Sequence, residues 1–244
     1  MDVKSASRTL DLFELFAREQ QPLSLSELAA ALDAPLSSCF NLVHSLKARG
    51  FLFGMGGRKK VYPTRKMHDL ASAIAAGEPW LKRMMPRLER LRDLTGETAI
   101  LGKEDGGAVI YLAVLEGRQN IRYTARPGDL KPLHSSSIGK ALLAAKPPKA
   151  RGEAIAKLRL DAKTENTIID RARFAEEIET TAFRGYSITR GENVADVMAV
   201  ASTVKFGGDV YGVAVAGPMH RMTGDVELQQ QRLMEICREI EGDA

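Results

Sequence analysis

A chain of 244 residues exceeds what one small core needs, and two modest domains are the better expectation. With 44% apolar and 27% charged residues and no apolar run near the ~18 residues of a membrane span, the composition excludes the membrane-spanning and disordered classes. The net charge of +4 is small but uneven: residues 1–66 hold ten Lys/Arg against six Asp/Glu, and the remainder balances.

The N-terminus mixes charges into amphipathic spacing and lacks an apolar signal core, so secretion is not expected. Two cysteines, Cys39 and Cys237, supply neither a disulfide framework nor a cysteine zinc site, which fits a reducing cytoplasm. Residues 7–19 set Leu10, Phe13 and Ala17 at helical spacing and predict a first helix, ended by Gln20, Gln21 and Pro22. Ser24-Leu25-Ser26-Glu27 is a capping-box pattern that opens a short second helix carrying Leu28, Ala29 and Leu32. Asp33 and Ala34 form a turn, Pro35 suits the first position of a third helix, and Gly50 supplies its left-handed stop.

In that third helix Cys39, Leu42, Val43 and Leu46 point to a core. The opposite face carries Ser37, Ser38, Asn41, His44, Ser45 and Lys47. From Leu36 to His68 there are seven basic residues and no acid. Such a segment suits a polyanion-contacting surface, because phosphate contacts release counterions and a nearby carboxylate opposes them. On charge alone, a solvated face is an equal alternative. Small hydrogen-bonding side chains without acids favour the major groove, where they reach base edges and phosphates. Residues 51–53 and 61–62 read as strands bracketing Gly54-Met55-Gly56-Gly57-Arg58-Lys59-Lys60, a hairpin whose basic tip suits phosphates or the minor groove. The whole is a winged helix-turn-helix pattern, with a generic three-helix interaction module as the competing reading.

Beyond it, residues 65–76 predict a helix with Met67, Leu70, Ala71 and Ile74 on one side, broken at 77–79. Leu81, Met84, Met85, Leu88 and Leu91 make another helical stripe. Strands are predicted at 97–103, 109–115 and 121–124, with a later hairpin of 199–206 and 210–216; helices are predicted at 138–145, 174–184 and 223–241. These interleave as an α/β sheet with helices packed on it. Catalytic patterns fail: His134-Ser135-Ser136-Ser137 lacks a nucleophile elbow, and Ser137-Ile138-Gly139-Lys140 lacks the earlier glycine of a phosphate loop. The four histidines lack metal-ligand spacing. No enzyme, metal or cofactor is expected.

SASRTLDLFELF, PLSLSELAAALDAPLSSCFNLVHSLKARGFL and VYPT, followed by LTGETAILGKEDGGAVIYL, PLHSSSIGKALLA, TENTIID, FRGYSITRGEN and GVAVAGP, resemble successive landmarks of the isocitrate-lyase-regulator (IclR) family of bacterial transcription factors. The resemblance covers nearly the whole chain. It implies a two-domain α+β protein: a winged helix-turn-helix DNA-binding domain at 1–64, a linker helix at 65–79, and a GAF-like α/β effector-binding domain at 80–244. It also implies a homodimer on double-stranded operator DNA, in many members a dimer of dimers, with no membrane partner. The residues set against DNA are Ser37, Ser38, Asn41, His44, Ser45, Lys47, Arg49, Arg58, Lys59 and Lys60. Asn41 stands where the family commonly has arginine; it pairs with adenine but cannot neutralise a phosphate.

For the effector, the resemblance implies a small organic acid held by the backbone amides of Ser137 and Ile138 at a helix N-terminus. Thr189 replaces an expected acid, Ala199 a cysteine, and Ala214 and Ala216 two serines. Methyl groups in place of donors predict a wider, more apolar cavity and an acid that is aromatic or bulkier than glyoxylate or pyruvate. Tyr111, Tyr123, Met198 and Phe206 are candidate ring contacts. Asp196 and Thr203 depart from the family's usual Gly and Pro around this strand. Repression and activation are both open, and the alternative function is a ligand-binding adaptor with a degenerate winged helix.

Overall fold

The computed structural model describes residues 3–56, 59–77 and 79–242, and divides into two compact units, Met1–Glu78 and Pro79–Ala244. The first contains α1 (Lys4–Glu19), β1 (Leu23–Ser24), α2 (Leu25–Ala31), α3 (Leu36–Ala48), β2 (Leu52–Met55), β3 (Lys60–Pro63) and α4 (Lys66–Ala76). Leu12, Leu15 and Phe16 of α1, Leu28 of α2, and Val43 and Leu46 of α3 close a core over Leu23, Leu52 and Val61. Ser24 caps α2 as the sequence predicts: its hydroxyl accepts from the Glu27 amide at 3.3 Å, and Glu27 accepts from the Ser24 amide at 2.6 Å.

Two details differ from the sequence reading. Pro35 is the N-cap of α3 rather than its first helical residue, with the Ser38 and Cys39 amides donating to its carbonyl. The wing has a third strand, because Leu23 and Ser24 pair with Val61 and Lys60 in the sheet order β1-β3-β2. Two residues carry no periodicity, so β1 is visible only through its partner.

The second unit runs through α5 (Pro79–Thr95), β4 (Thr98–Asp105), β5 (Ala108–Leu115), β6 (Leu130–Pro132), α6 (Ser137–Ala144), α7 (Pro148–Lys157), α8 (Arg171–Arg184), β7 (Ser187–Arg190), β8 (Val197–Phe206), β9 (Asp209–Pro218), α9 (Met219–Met222) and α10 (Val226–Gly242). Its strands form one antiparallel sheet in the order β6-β5-β4-β9-β8-β7. Side chains alternate across a strand, and β8 and β9 sort by size. Met198, Val200, Val204, Val213 and Val215 pack with Leu88 and Leu91 of α5 and Leu233 and Ile236 of α10. Ala199, Ala201, Ala214 and Ala216 face the other way, towards α6 and α8.

The small-residue face lets α6 lie close to the sheet. Ile138 sits over Gly102 and Gly212, which are cross-strand partners. A Cβ at Gly212 would collide with Ile138 Cγ2, and one at Gly102 would meet Val109 Cγ1 at 2.9 Å. The predicted strand at 121–124 is irregular chain instead, and the sheet edge beyond β5 is β6. β7 and α7 went unpredicted. β7 is only four residues long, and α7, which starts on Pro148 after its N-cap Pro147, buries little beyond Arg151 and Ile155.

Candidate functional site

On the first unit, α3 buries Cys39, Val43 and Leu46 and exposes Ser37, Asn41, His44, Ser45 and Lys47 along one surface, with Arg49 at its end. Ser45 Oγ donates to the Asn41 carbonyl at 2.9 Å, which spends its proton within the helix. Ser38 is half-buried and accepts from Arg8 Nη1 at 3.0 Å, so it ties α3 to α1 rather than standing free. Arg8 is therefore a cation beside the polar face that sequence reasoning missed, since it lies on a different helix. The Arg49 carbonyl accepts from Lys66 Nζ at 2.7 Å.

Lys59 is exposed on the wing, and Arg58 lies outside the described residues. Lys60 pairs with Glu27 at 3.6 Å. The stretch that is acid-free in sequence thus meets a carboxylate from α2 in space, besides Asp69 just beyond its end, which pairs with Arg65 at 3.3 Å. The Ser24 backbone amide holds the Glu27 carboxyl below its ordinary range. Phe40, also overlooked, is 58% exposed and stacks on His44 with ring centroids 6.2 Å apart at 14°. It borders a groove of about 490 Å³ between α3 and the wing.

On the second unit, a cavity of about 30 Å³ lies at the N-terminus of α6. Of the predicted effector residues, Tyr111, Tyr123, Ser137, Thr189, Ala199 and Ala216 line it, joined by Ile100, Ser135, Ser136, Asn193, Val194 and Val197. Ile138 and Ala214 lie in the same apolar cluster but outside the lining; Ile138 spends its side chain on the glycine hollow. Met198 and Phe206 are corrections. Both face the α5 and α10 side of the sheet, because they alternate with Ala199 along β8.

Tyr111 reaches the cavity through a register shift. Leu101 pairs with Ala113, but Gly102 pairs with Tyr111, so Leu112 is an extra residue on β5. This bulge turns Tyr111 to the α6 face while Ala113 and Leu115 keep to the other. Burial, with the Tyr123 phenol beside it, pushes the Tyr111 hydroxyl well above the ordinary phenol range, so it stays a neutral donor. The expected widening by alanines is not found. With both tyrosine rings in the wall, the space is about what one water requires.

The cavity rim is tied to α6. Ser136 caps the helix, accepting from the Gly139 amide at 3.2 Å, and the first intrahelical bond runs from the Lys140 amide to the Ser136 carbonyl. The Ser137 and Ile138 amides precede it and point out of the helix start, where partial positive charge gathers. Ser135 donates to Asn193 Oδ1 at 3.1 Å, and Ser187 donates to the Ser137 carbonyl at 2.6 Å. Beneath them Lys140 Nζ, fully buried, lies 2.6 Å from Glu192 Oε2. Burial pushes the Glu192 carboxyl up, and the Lys140 charge opposes that shift. Thr167 and Thr164 donate to the Glu192 and Gly191 carbonyls. Among the described residues no three His, Cys, Asp or Glu side chains converge to hold a metal, and no helix is long and apolar enough to cross a membrane.

A winged helix with a polar recognition face, and a second unit whose antiparallel sheet holds a small cavity, together have the architecture of a helix-turn-helix transcriptional regulator. Comparison makes this specific. Residues 5–52 match the IclR helix-turn-helix domain, and residues 76–241 match the bacterial transcriptional regulator IclR C-terminal domain. The chain belongs to the IclR family of transcriptional regulators. It is 31% identical to the HTH-type transcriptional regulator BhcR of Paracoccus denitrificans, over 98% of this chain and 86% of that protein. The crystal structure of the Thermotoga maritima IclR is similar, with TM-score 0.82, 25% identity and 98% of each chain covered. An IclR homologue from Microbacterium hydrocarbonoxydans, solved with 4-hydroxybenzoate, has TM-score 0.75 and 22% identity over 98% of each chain.

Proposed function

We propose that the protein is a homodimeric regulator whose binding to operator DNA is set by a small organic acid held at the α6 N-terminus. The carrying observation is the cavity there: the first-turn amides of α6, the Ser137 hydroxyl and the neutral Tyr111 phenol suit a carboxylate, and no acid stands in its lining. Ligand binding shifts operator occupancy only through a difference in affinity between arrangements of the two DNA-reading heads. Residues 65–79 act as the linker between those heads and the sensor, and the exposed Leu70 and Ile74 of α4 supply apolar surface for pairing two copies.

Methyl groups at Ala199 and Ala216 in the wall, in place of hydrogen-bond donors, favour an aromatic or otherwise bulkier acid over glyoxylate or pyruvate, and a protein of the same fold from Microbacterium hydrocarbonoxydans was solved with 4-hydroxybenzoate. An aromatic acid then requires Tyr123, on irregular chain, to swing out. The small volume of about 30 Å³ asks less rearrangement of the second reading, a compact acid. Isothermal titration with aromatic acids against glyoxylate and pyruvate separates the two. For the DNA, Lys59→Ala is expected to weaken binding to all sequences alike and to reduce the salt slope by about one, whereas Asn41→Ala relaxes choice at one base position. A mobility-shift titration in which the wild type treats its own upstream region and random DNA alike refutes the DNA reading.

A further inference from the structure

We propose that Phe40 is a base-reading residue whose ring packs against the C5-methyl group of a thymine in the major groove; the inference rests on the operator-binding reading above. Phe40 is a large apolar side chain on the outer face of α3, 58% exposed beside the polar Ser37, Asn41 and His44, with Leu36 also exposed at the start of the helix. Its ring lies near-parallel to that of His44, one turn further along the helix, with centroids 6.2 Å apart. The adjoining groove has an apolar floor of Val43 and Val61, with Lys47 and Lys59 at its rim and no carboxylate in its lining.

That charge distribution selects the occupant. A second copy of this surface would set lysines against lysines, whereas a DNA strand brings phosphates to them. Within the major groove, the base edges offer hydrogen-bond donors and acceptors that a phenyl ring would leave unpaired, except for the thymine methyl, which is apolar. Asn41, the next residue, reads adenine edges by hydrogen bonding, so the pair would recognise an A·T-containing step from two chemistries.

The test uses the full-length protein and an operator located by footprinting its upstream region. Each thymine is replaced singly by deoxyuracil, which keeps pairing and removes only the methyl. One or two positions are expected to weaken wild-type binding by about fourfold each, the effect of one buried methyl-sized group. Phe40→Ala should bind more weakly and be indifferent at those positions, with Phe40→Leu showing a smaller uracil effect than the wild type. If no uracil position weakens the wild type, or if Phe40→Ala remains sensitive at the same positions, the proposal is overturned while operator recognition stands. If the wild type cannot tell the operator from random DNA, both readings fall together.

Discussion

Lys140 is an ammonium with no exposed side-chain surface, and its charge is tolerable only because Glu192 meets it at 2.6 Å. Removing one member of a buried pair leaves the other uncompensated, so Lys140→Met is expected to cost about 3–5 kcal/mol in urea unfolding. Lys140→Met with Glu192→Leu should recover most of that loss; a double variant as unstable as the single would mean that the pair is not coupled. The cysteines answer to burial in another way. Cys237 is buried and its thiol is pushed up to about 12, chiefly by that burial; Cys39 is buried as well. Thiolate is the reactive form, so the native protein should resist alkylation at pH 8 and take up label on both cysteines once denatured, as read by mass spectrometry. At this scale the sequence was a partial guide. It marked Ser137 and Tyr111 as candidates but carried no sign that Arg8 meets Ser38, or that Lys140 and Glu192 pair, because neither contact follows a local spacing.

Among elements, α6 packs tightly against β4 and β9. Gly212 is required there because Ile138 occupies the space a Cβ would take. Gly212→Ala is expected to destabilise by about 1–3 kcal/mol through overpacking and to weaken ligand binding by shifting the α6 N-terminus. Combining it with Ile138→Ala should restore part of the stability, measured by thermal unfolding of the single and double variants. The alternation of small and large residues in β8 and β9 was legible from the sequence, since a period of two needs no tertiary information. The same alternation keeps Met198 out of the cavity, since its neighbour Ala199 lines it and adjacent strand residues face opposite sides. The bulge at Leu112 was hidden: an extra residue in one strand exists only relative to its partner, and it alone aims Tyr111 at the cavity.

For the whole molecule, the exposed apolar residues of α4 offer the proposed pairing surface. Leu70→Glu with Ile74→Glu is expected to convert a dimer to a monomer in analytical ultracentrifugation and to weaken operator binding sharply, because two tethered heads gain affinity by effective concentration. A double variant that remains dimeric would move the interface elsewhere.

The sequence by itself determined the winged helix, its capped second helix, the basic surplus at the N-terminal end and membership of a regulator family, since these depend on local propensity, spacing and composition. Only the tertiary structure decided that Glu27 meets Lys60, that Phe40 stands exposed beside a basic groove, and that the cavity is nearly filled by two tyrosines. Those features arise where residues distant in the chain are brought together, and the volume left between packed side chains is a property of the packing rather than of any one segment.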